Sequence, residues 1–468
     1  MTVRYISTRG KAPVLNFEEV VLTGLARDGG LYLPESFPQF SAGDIKRLAG
    51  TSYAEAAAFL LQPFLGSSID ADDFRAMTEK AYASFSHKAV VPVSQLGSNE
   101  FLMELYHGPT LAFKDVALQL LGLLYDHLLA REGKRVTIVG ATSGDTGSAA
   151  IEACRGRDAV DIFILHPKGR VSEVQRRQMT TVLDSNVHNI AVEGDFDDCQ
   201  AMVKAMFNDH EFRDGLAVSA VNSINWARVM AQIVYYFTVG VSLGAPARPI
   251  SFSVPSGNFG DVYAGYAASK MGLPVEQLIV ATNRNDILSR FFNSGEYRKA
   301  GVDPTISPSM DIQVSSNFER FLGDLYGRDG QAISDLMEKL DKDGGFSVEM
   351  SRLNESVFAA GRCDEEETLA TIRQTLAESG ILVDPHTAVG LSVGEKCRRD
   401  IRTPLVTLST AHPAKFPDAV EKATGERPAL PSHLADLFGR EERLTELPND
   451  VTVVKSFIKE RARILSAA

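Results

Sequence analysis

The chain has 468 residues, 44% hydrophobic and 23% charged, an ordinary composition for a folded protein of two or three domains. Its 60 acidic and 48 basic residues give a net charge of -12, which argues against a nucleic-acid or anionic-membrane partner. The four cysteines lie far apart without a CxxC pair, so neither a disulfide framework nor a metal site is expected. The amino terminus, MTVRYISTRGKAP, carries no apolar signal segment, and we expect a cytoplasmic protein.

The beginning of the chain differs from the rest. Turn-rich sequence, ARDGGLYLPESFPQFS, precedes helical patterns, and residues 1–95 are predicted to form a helical N-terminal region. The segment HGPTLAFKD, residues 107 to 115, then places Lys114 after small and apolar residues and ahead of an apolar helix. A surface lysine normally has polar neighbours, so we expect Lys114 to be drawn inward.

From residue 115 onward, apolar helical patterns alternate with short β-branched runs. Helices are predicted at Asp115–Arg131, from about Ser148, at Val171–Val182, at Asp197–Asn208 and through Trp226. The predicted strands are RVTIVGA, VDIFILHP, VHNIAVEG, LAVSAVN, PISFSVPS, QLIVATN and PLVTLSTA. This alternation is typical of parallel α/β folds. It predicts two sheets facing across a cleft, a smaller α/β domain at residues 96–225 and a larger one at 226–468.

Two segments share the layout of a strand, a glycine-rich turn and a helix. They are TSGDTG, residues 142 to 147, and SGNFGD, residues 256 to 261. Such turns expose backbone N–H groups at the positive end of a helix and can bind anions, although a tight turn that binds nothing is the alternative. Neither matches GxxxxGK[ST] or GxGxxG, so a nucleotide site loses its main support.

The charges in the two loops predict different ligands. Asp145 lies inside the first loop and would repel a phosphate, whereas the second has neutral Asn258 between its glycines, with Asp261 outside the turn. We therefore assign a phosphate to residues 256–260. The hydroxyls of Thr142, Ser143 and Thr146 in the first loop suit a smaller group, such as a substrate carboxylate or a ring hydroxyl.

Lys114 and the phosphate loop together indicate a cofactor. Apolar surroundings favour the neutral amine, which a Schiff base with an aldehyde requires. A reactive lysine with a phosphate site is the minimal specification for pyridoxal phosphate. A third segment, LSTAHPAKF, follows the last predicted strand at the end where ligands bind in α/β sheets. There, either Ser409 or Thr410 would face the pyridine nitrogen, unless these are simply satisfied turn hydroxyls.

These motifs resemble those of the threonine synthases, which belong to the fold type II (tryptophan synthase β-like) pyridoxal-phosphate enzymes. The resemblance runs from residue 5 to residue 416 and favours the longer microbial and fungal branch. It implies two parallel-sheet α/β domains with the cofactor in the cleft between them, plus the helical N-terminal region. The matching motifs are YISTRG, DGGLYLPE, HGPTLAFKD, GATSGDTGSAA, NSINWAR, PSGNFGD, SSNFERF, DPHTAVG and STAHPAKF.

The resemblance implies a role for each matched residue. Lys114 corresponds to the Schiff-base lysine and Thr410 to the hydroxyl near the pyridine nitrogen. Cofactor phosphate is implied for the loop that follows Ser256, namely Gly257, Asn258, Phe259 and Gly260. Substrate carboxylate and ring hydroxyl are implied for Thr142, Ser143, Gly144, Asp145 and Thr146. Most relatives in the wider fold type have asparagine in place of Asp145, although the longer threonine synthases share the aspartate, so the role of this acid stays open.

The implied reaction converts O-phospho-L-homoserine and water to L-threonine and phosphate by γ-elimination and β-addition of water, with Lys114 removing the α proton. Asn225, Arg228 and Arg320 are candidates for the substrate phosphate because arginine suits phosphate geometry, and a structural role is the alternative for each. We expect a small-molecule substrate and a monomer or homodimer. Two other functions remain open: a pyridoxal-phosphate phospho-lyase giving 2-oxobutyrate, and a nucleotide-dependent oxidoreductase or binding protein.

Overall fold

The computed structural model describes residues 3–219, 221, 223–353 and 357–463. Along the sequence, the chain divides into two compact units. The first takes Met1–Val20, Leu25–Ala117 and Ser223–Pro428, and the second takes Val21–Gly24, Leu118–Asn222 and Ala429–Ala468. The domain boundaries expected from the sequence, at residues 95 and 225, stay a prediction.

The strands of the described residues are mostly short and buried. In chain order they are β1 Tyr5–Ser7, β2 Tyr32–Pro34, β3 Val93–Gly97, β4 Glu100–Glu104, β5 Val136–Ala141, β6 Val160–Pro167, β7 Val187–Glu193, β8 Val218–Ser219, β9 Ile250–Pro255, β10 Val275–Thr282, β11 Glu296–Arg298, β12 Gly345–Ser347, β13 Phe358–Arg362, β14 Leu405–Ser409 and β15 Thr445–Pro448.

The helices follow between them and cover most of the remaining chain. They are α1 Phe17–Thr23, α2 Ala42–Arg47, α3 Tyr53–Leu65, α4 Ala71–Tyr82, α5 Lys114–Glu132, α6 Asp145–Cys154, α7 Glu173–Thr180, α8 Phe196–Asn208, α9 His210–Gly215, α10 Trp226–Ser242, α11 Gly260–Lys270, α12 Ile287–Ser294, α13 Phe318–Leu325, α14 Gly330–Asp343, α15 Glu365–Ser379, α16 Pro385–Cys397, α17 Pro417–Thr424 and α18 Val451–Arg461.

The first unit is built on a six-stranded sheet in the order β13-β10-β9-β14-β4-β3. Its strands are parallel except for β3, which pairs with β4 in the antiparallel sense. Strands β9 and β14 are buried along their whole length, as continuous apolar runs predict for a parallel sheet covered on both faces. The N-terminal helices α2 to α4 and the small β1-β2 ladder also belong to this unit.

The second unit contains a five-stranded, fully parallel sheet in the order β15-β7-β6-β5-β8. Its core packs Val139, Phe163 and Ile190 of the sheet against Met202 and Met206 of α8. The predicted strand LAVSAVN is represented by Val218–Ser219, while residues 220 and 222 lie outside the described residues.

The two sheets confirm the α/β expectation, and one helix boundary was wrong. The sequence predicted a start near Ser148, whereas α6 begins at Asp145. An acid in the first turn is favourable because it faces the positive end of the helix dipole, and this preference offsets the glycines around it. Across the described residues, no helix is both long enough and apolar enough to cross a membrane.

Candidate active site

Three strands of the six-stranded sheet end at the same edge. β14 lies between β4 and β9 and runs parallel to both. Because parallel strands end on one side of a sheet, the segments after β4, β9 and β14 emerge together there. Each of these segments contains residues that the sequence predicted to bind the cofactor.

The segment before Lys114 is attached to the end of β14 by backbone pairing. Phe113 donates its N–H to the carbonyl of Thr410 (2.8 Å), and His412 donates to the carbonyl of Leu111 (3.0 Å). Lys114 is the next residue and opens α5. It is only 9% exposed, with its Nζ 5.0 Å from the centre of the Phe113 ring. The expectation that Lys114 is drawn inward is confirmed.

A second group of contacts determines the turn that precedes this lysine. Asp115 accepts hydrogen bonds from the N–H (2.8 Å) and the hydroxyl (2.6 Å) of Thr110. The fully buried Lys415 donates its Nζ to the carbonyl of Thr110 (2.8 Å). Leu111 has a φ of 63°, a left-handed conformation that costs a residue with a Cβ about 1–2 kcal/mol. Such strain persists where surrounding contacts enforce it, as they do on both sides of Leu111.

Contacts distinguish the two hydroxyls considered for the pyridine nitrogen. The Ser409 oxygen lies 3.0 Å from the Thr387 hydroxyl, which itself donates to the buried carboxylate of Asp384. Since the Thr387 proton points at Asp384, Ser409 is the donor to Thr387, and its own proton is committed within the protein. Thr410 is the next residue along the chain and thus the better candidate.

The glycine-rich loop between β9 and α11 is held through its carbonyl groups. Gly257 accepts from the hydroxyl of Ser315 (2.7 Å), and Asn258 accepts from the N–H of Asn317 (3.0 Å). A methyl group on Gly257 would lie 2.9 Å from the carbonyl oxygen of Ser309, closer than a carbon atom can approach. With these carbonyls bound to the protein, the amides at the start of α11 are the groups suited to an anion.

Phe259 braces this loop from within the protein. It adopts a left-handed conformation, with φ 61°, and its ring packs edge-on against Phe318 at 5.3 Å. Its N–H donates to the Ser256 hydroxyl oxygen (3.1 Å). Because the Phe259 amide has this partner, the amides of Gly257, Asn258 and Gly260 are better placed for a phosphate.

An acid lies nearer to this loop than the sequence indicated. Asp261 is outside the turn in sequence, yet its buried carboxylate folds back and accepts from the Ser256 hydroxyl (2.5 Å) and the N–H of Val262 (2.9 Å). Burial raises the pKa of Asp261 to about 6, although the Ser256 hydrogen bond and the charge of Lys114 act to lower it. The sequence placed Asp261 just outside the turn, and the structure adds that its carboxylate reaches back to Ser256 at the start of the loop.

The loop TSGDTG, in the second unit, joins β5 to α6 and is closed by a threonine. The Thr142 oxygen accepts the N–H groups of Gly144 (2.9 Å) and Gly147 (2.8 Å). Its hydroxyl therefore shapes the turn. Ser143 is exposed and Thr146 is half-buried, so these two hydroxyls are the more accessible ones for a ligand.

Asp145 in this loop is oriented by α7. Gln175 donates its Nε2 to Asp145 (2.8 Å), while its amide oxygen accepts from the Ser172 hydroxyl (2.9 Å). Gly144 has a φ of 140°, and a methyl group there would collide with the Gln175 amide. Ser172 thus sets which end of the amide faces the acid, and Asp145 is held as a hydrogen-bond acceptor.

Two of the three candidates for a substrate phosphate lie at the start of α10. Asn225 caps this helix by accepting the N–H of Ala227 (3.0 Å), and Arg228 lies in its first turn. Both side chains are buried. Their proposed contact with the substrate stays a prediction.

The third candidate, Arg320, has no exposed surface. Its guanidinium donates to the carbonyls of Tyr32 (2.9 Å) and Ile224 (2.5 Å) and to the side chain of Asn317. Burial lowers the pKa of Arg320 to about 10. These contacts favour a structural role, in which Arg320 ties the NSINWAR and SSNFERF motifs together, and its contact with a substrate phosphate stays untested.

Sequence reasoning missed several residues that the structure brings to these loops. Asp384 precedes Pro385, a pattern typical of a helix start, and Lys415 stands inside a motif already noted, so signals existed for both. No sequence signal connects Gln175 with Asp145, because the two are 30 residues apart. Only the packing of α7 against α6 brings them together.

Comparison with known proteins covers nearly the whole chain. Family models match at residues 4–82 (threonine synthase N terminus), 88–352 (pyridoxal-phosphate dependent enzyme) and 387–458 (threonine synthase, C-terminal). The threonine synthase of Pseudomonas aeruginosa is 58% identical over 461 residues, which are 98% of each chain.

Two crystal structures are similar over their full length. The PLP-bound threonine synthase from Brucella melitensis gives a TM-score of 0.97 at 56% identity, covering 99% of this chain and 100% of that one. The yeast threonine synthase gives 0.93 at 41% identity, covering 98% of each chain. These similarities confirm the fold type and the cofactor expected from the sequence: the chain belongs to the threonine synthase family of pyridoxal-phosphate-dependent enzymes.

Proposed function

We propose that the chain converts O-phospho-L-homoserine and water to L-threonine and phosphate, the last step of threonine biosynthesis, with pyridoxal phosphate as cofactor. Similarity to threonine synthases over nearly the whole length supports this reaction. The observation that carries the residue assignment is the position of Lys114, buried at the sheet edge and joined to Thr410 by a backbone hydrogen bond of its neighbour Phe113.

The residues at this edge fit pyridoxal phosphate. Backbone walls shape the loop at Gly257, and the amides of Gly257, Asn258 and Gly260 would hold the phosphate at the positive end of α11. Thr410 would direct its hydroxyl to the ring nitrogen. When bound, the cofactor supplies an electron sink for negative charge at the carbon that bears the amino group.

Lys114 has two tasks in this proposal. Its Nζ would hold the cofactor, and once free it would act as the base that takes the proton from the α carbon of the substrate. Thr410 is a neutral hydroxyl, which need not keep the ring nitrogen protonated. Ser256 and Phe259 brace the phosphate loop, since the N–H of Phe259 donates to the Ser256 hydroxyl.

The loop TSGDTG is proposed to bind the substrate carboxylate. Ser143 and Thr146 would donate their hydroxyl protons, while Thr142 and Gly144 maintain the turn. Asp145, held as an acceptor by α7, would take a hydrogen bond from the cofactor's ring hydroxyl or from the substrate amine.

The phosphate of the substrate is assigned to the start of α10. Arg228 would pair with it because the guanidinium fork matches phosphate oxygens, and Asn225 would add an amide donor. The guanidinium of Arg320 has three acceptors in the protein, which favours a structural role for this residue. We propose a cytoplasmic monomer or homodimer without a nucleic-acid or membrane partner, because a net charge of -12 repels phosphate-rich surfaces.

Incubation of the purified protein with O-phospho-L-homoserine tests the reaction. We expect threonine and phosphate in equal amounts. Phosphate with 2-oxobutyrate, and no threonine, would instead identify a phospho-lyase and overturn the proposal.

The lysine assignment has its own test. We expect a yellow protein whose visible absorption disappears on borohydride reduction. The reduced cofactor should then label the peptide that contains Lys114. The buried Lys415 is the internal control, because it is close in sequence to Thr410 and should carry no label. A visible band that survives in Lys114→Ala, or a label on Lys415, contradicts the assignment.

A further inference from the structure

The motif DPHTAVG contains a fully buried acid whose role the proposed reaction leaves unexplained. Asp384 caps α16 and accepts four hydrogen bonds: from the N–H groups of His386 (3.0 Å) and Thr387 (3.0 Å), from the ring Nδ1 of His386 (2.6 Å), and from the Thr387 hydroxyl. In the described part of the chain, no lysine or arginine forms an ion pair with this carboxylate. Helix capping needs only the backbone donors, so the two side-chain donors call for a further explanation.

The Thr387 donor leads to the end of β14. Because its proton points at Asp384, its oxygen accepts the hydroxyl proton of Ser409 (3.0 Å). Ser409 is the last residue of β14 and also accepts the N–H of Leu105 at its carbonyl (3.0 Å). The residue after it is Thr410. Asp384 therefore orders the strand end from which Thr410 emerges.

The His386 donor leads to the phosphate loop. Its Nε2 accepts the N–H of Ser309 (3.2 Å), so the ring proton lies on Nδ1 and is donated to Asp384. The carbonyl of this same Ser309 is the atom that a methyl group on Gly257 would meet at 2.9 Å. The ring of Phe416 packs edge-on against His386 at 4.7 Å and limits its rotation. Asp384 therefore also orders the wall behind Gly257.

We propose that Asp384, His386 and Thr387 are positioning residues that couple the two ends of the cofactor site. This inference rests on the proposed function. His386 determines the wall of the phosphate loop through Ser309, and Thr387 determines the strand end at Thr410 through Ser409. One desolvated carboxylate aligns both arms because it accepts from each, and a hydrogen bond gains strength away from water.

A matched pair of substitutions at His386 tests the contacts that run from Asp384 through His386 and Ser309 to the phosphate loop. In His386→Asn the amide nitrogen takes the position of Nδ1 and still donates to Asp384, but the side chain no longer accepts the N–H of Ser309. In His386→Gln the amide oxygen takes the position of Nε2 and accepts from Ser309. Dissociation constants are measured by titrating the apoprotein with pyridoxal phosphate and with pyridoxal, which lacks the phosphate.

We expect His386→Asn to bind pyridoxal phosphate about tenfold more weakly than the wild type, the loss that corresponds to about 1.4 kcal/mol. Its affinity for pyridoxal should stay within about twofold. His386→Gln keeps the acceptor for Ser309 but loses the donor to Asp384, so we expect it to bind pyridoxal phosphate about threefold more weakly than the wild type, between the wild type and His386→Asn. If His386→Asn loses equal affinity for pyridoxal phosphate and for pyridoxal, the role of His386 is merely structural, and its proposed link to the phosphate loop is overturned.

Thr387→Val tests the other arm, because valine has nearly the shape of threonine and no hydroxyl. We expect about tenfold weaker binding of both probes and a shifted visible band in the holoenzyme, since Thr410 faces the ring rather than the phosphate. Unchanged affinities and an unchanged band overturn the proposed link from Thr387 through Ser409 to Thr410. This result does not depend on whether the His386 variants fold.

Ser392→Ala is the control. Ser392 is buried on the same helix, α16, outside the Asp384 contacts, and its loss should alter neither affinity nor spectrum. Thermal unfolding and circular dichroism establish that each variant is folded. If the wild type itself binds no pyridoxal phosphate, the proposed function fails; if it binds and the variants match it, only the coupling by Asp384 fails.

Discussion

The two glycine-rich loops have the same layout in sequence and are stabilised in different ways. The loop at 256–260 lies against backbone: a methyl group on Gly257 would meet the carbonyl of Ser309 and the Cα of Met310. The loop at 142–147 depends on side chains, with Thr142 closing the turn and Gln175 holding Asp145. A rigid backbone cradle suits a resident phosphate, whereas exposed hydroxyls suit a substrate that must enter and leave.

The loops also share a feature that becomes apparent only in the structure, the burial of an acid beside each of them. Each has a buried acid in the first turn of the following helix, Asp145 in α6 and Asp261 in α11. Each acid receives a neutral donor, from Gln175 in one case and from Ser256 in the other. The loops therefore differ less in charge than in what surrounds them.

Of the substitutions that test the difference between the two loops, Gly257→Ala should have the largest effect, a loss of cofactor affinity. The added methyl group meets the backbone of Ser309 and Met310, which cannot move like a side chain. Overpacking of this kind costs about 1–3 kcal/mol, so we expect cofactor affinity to fall by about tenfold to a hundredfold. Titration of the apoprotein with pyridoxal phosphate measures it. Gly301→Ala, where the methyl group meets nothing within 4 Å, is the control, and equal affinities for both variants would refute the cradle.

Asp261→Asn should alter how stability depends on pH. The folded-state pKa of Asp261, about 6, is above the ordinary value of 3.8, so the folded protein binds this proton more tightly than the unfolded chain does. The resulting stabilisation is complete below about pH 4 and is lost as the pH rises through about 6. Relative to the wild type, the variant should gain about 2 kcal/mol of unfolding free energy between about pH 4 and about pH 7.

Denaturant unfolding of the two apoproteins at several pH values measures this difference. A stability difference between wild type and variant that is the same at all pH values would mean that Asp261 ionises normally. In that case the burial of Asp261 beside the second loop would have no effect on its ionisation.

Gln175→Leu should weaken the other loop while leaving cofactor binding intact. It removes the donor that faces the buried Asp145, and hydrogen bonds to charged groups contribute about 1.5–3 kcal/mol. We expect a loss of about 1.5 kcal/mol in unfolding free energy, a raised KM for substrate and a cofactor affinity within about twofold of the wild type. Gln374→Leu, which removes an exposed bond to Glu378, is the control and should cost less than about 0.5 kcal/mol.

The smallest effect is expected from reversing the polarity of that bond. In the double variant Asp145→Asn with Gln175→Glu, the asparagine amide donates and the glutamate accepts. We expect the double variant to be more stable than the sum of the single effects predicts, with a coupling of about 1 kcal/mol in a double-mutant cycle. Additive effects would show that Gln175 supports the loop by packing alone.

Local sequence was sufficient to predict an element wherever the pattern of a few neighbouring residues determines its structure. The strand VDIFILHP was predicted within its observed bounds, Val160–Pro167, because a continuous apolar run bounded by turns has few alternatives. The start of α6 was placed about three residues late, since glycines and hydroxyls read as loop even where a helix dipole favours the acid.

Lys114 was also identifiable in sequence, because its apolar neighbours predict burial and the family motif predicts its role. Ser409 and Thr410 could not be separated from the residues alone, since both are hydroxyls at one strand end, and only the family motif pointed to Thr410. Their hydrogen-bond directions depend on Thr387 and Asp384, more than twenty residues away, as the 22-residue separation of Thr387 and Ser409 illustrates.

The sequence by itself determined the α/β alternation, the buried lysine, the two glycine loops and the family. Periodicity and turn chemistry act over a few residues, so they can be read without knowledge of the fold. Only the tertiary structure decided that Gln175 faces Asp145 and that the contacts of Asp384 extend to Ser309 and Ser409, because folding brings these partners together. Burial then raises the importance of each hydrogen bond to these carboxylates, because every neighbouring group that excludes water adds to the desolvation of the acid.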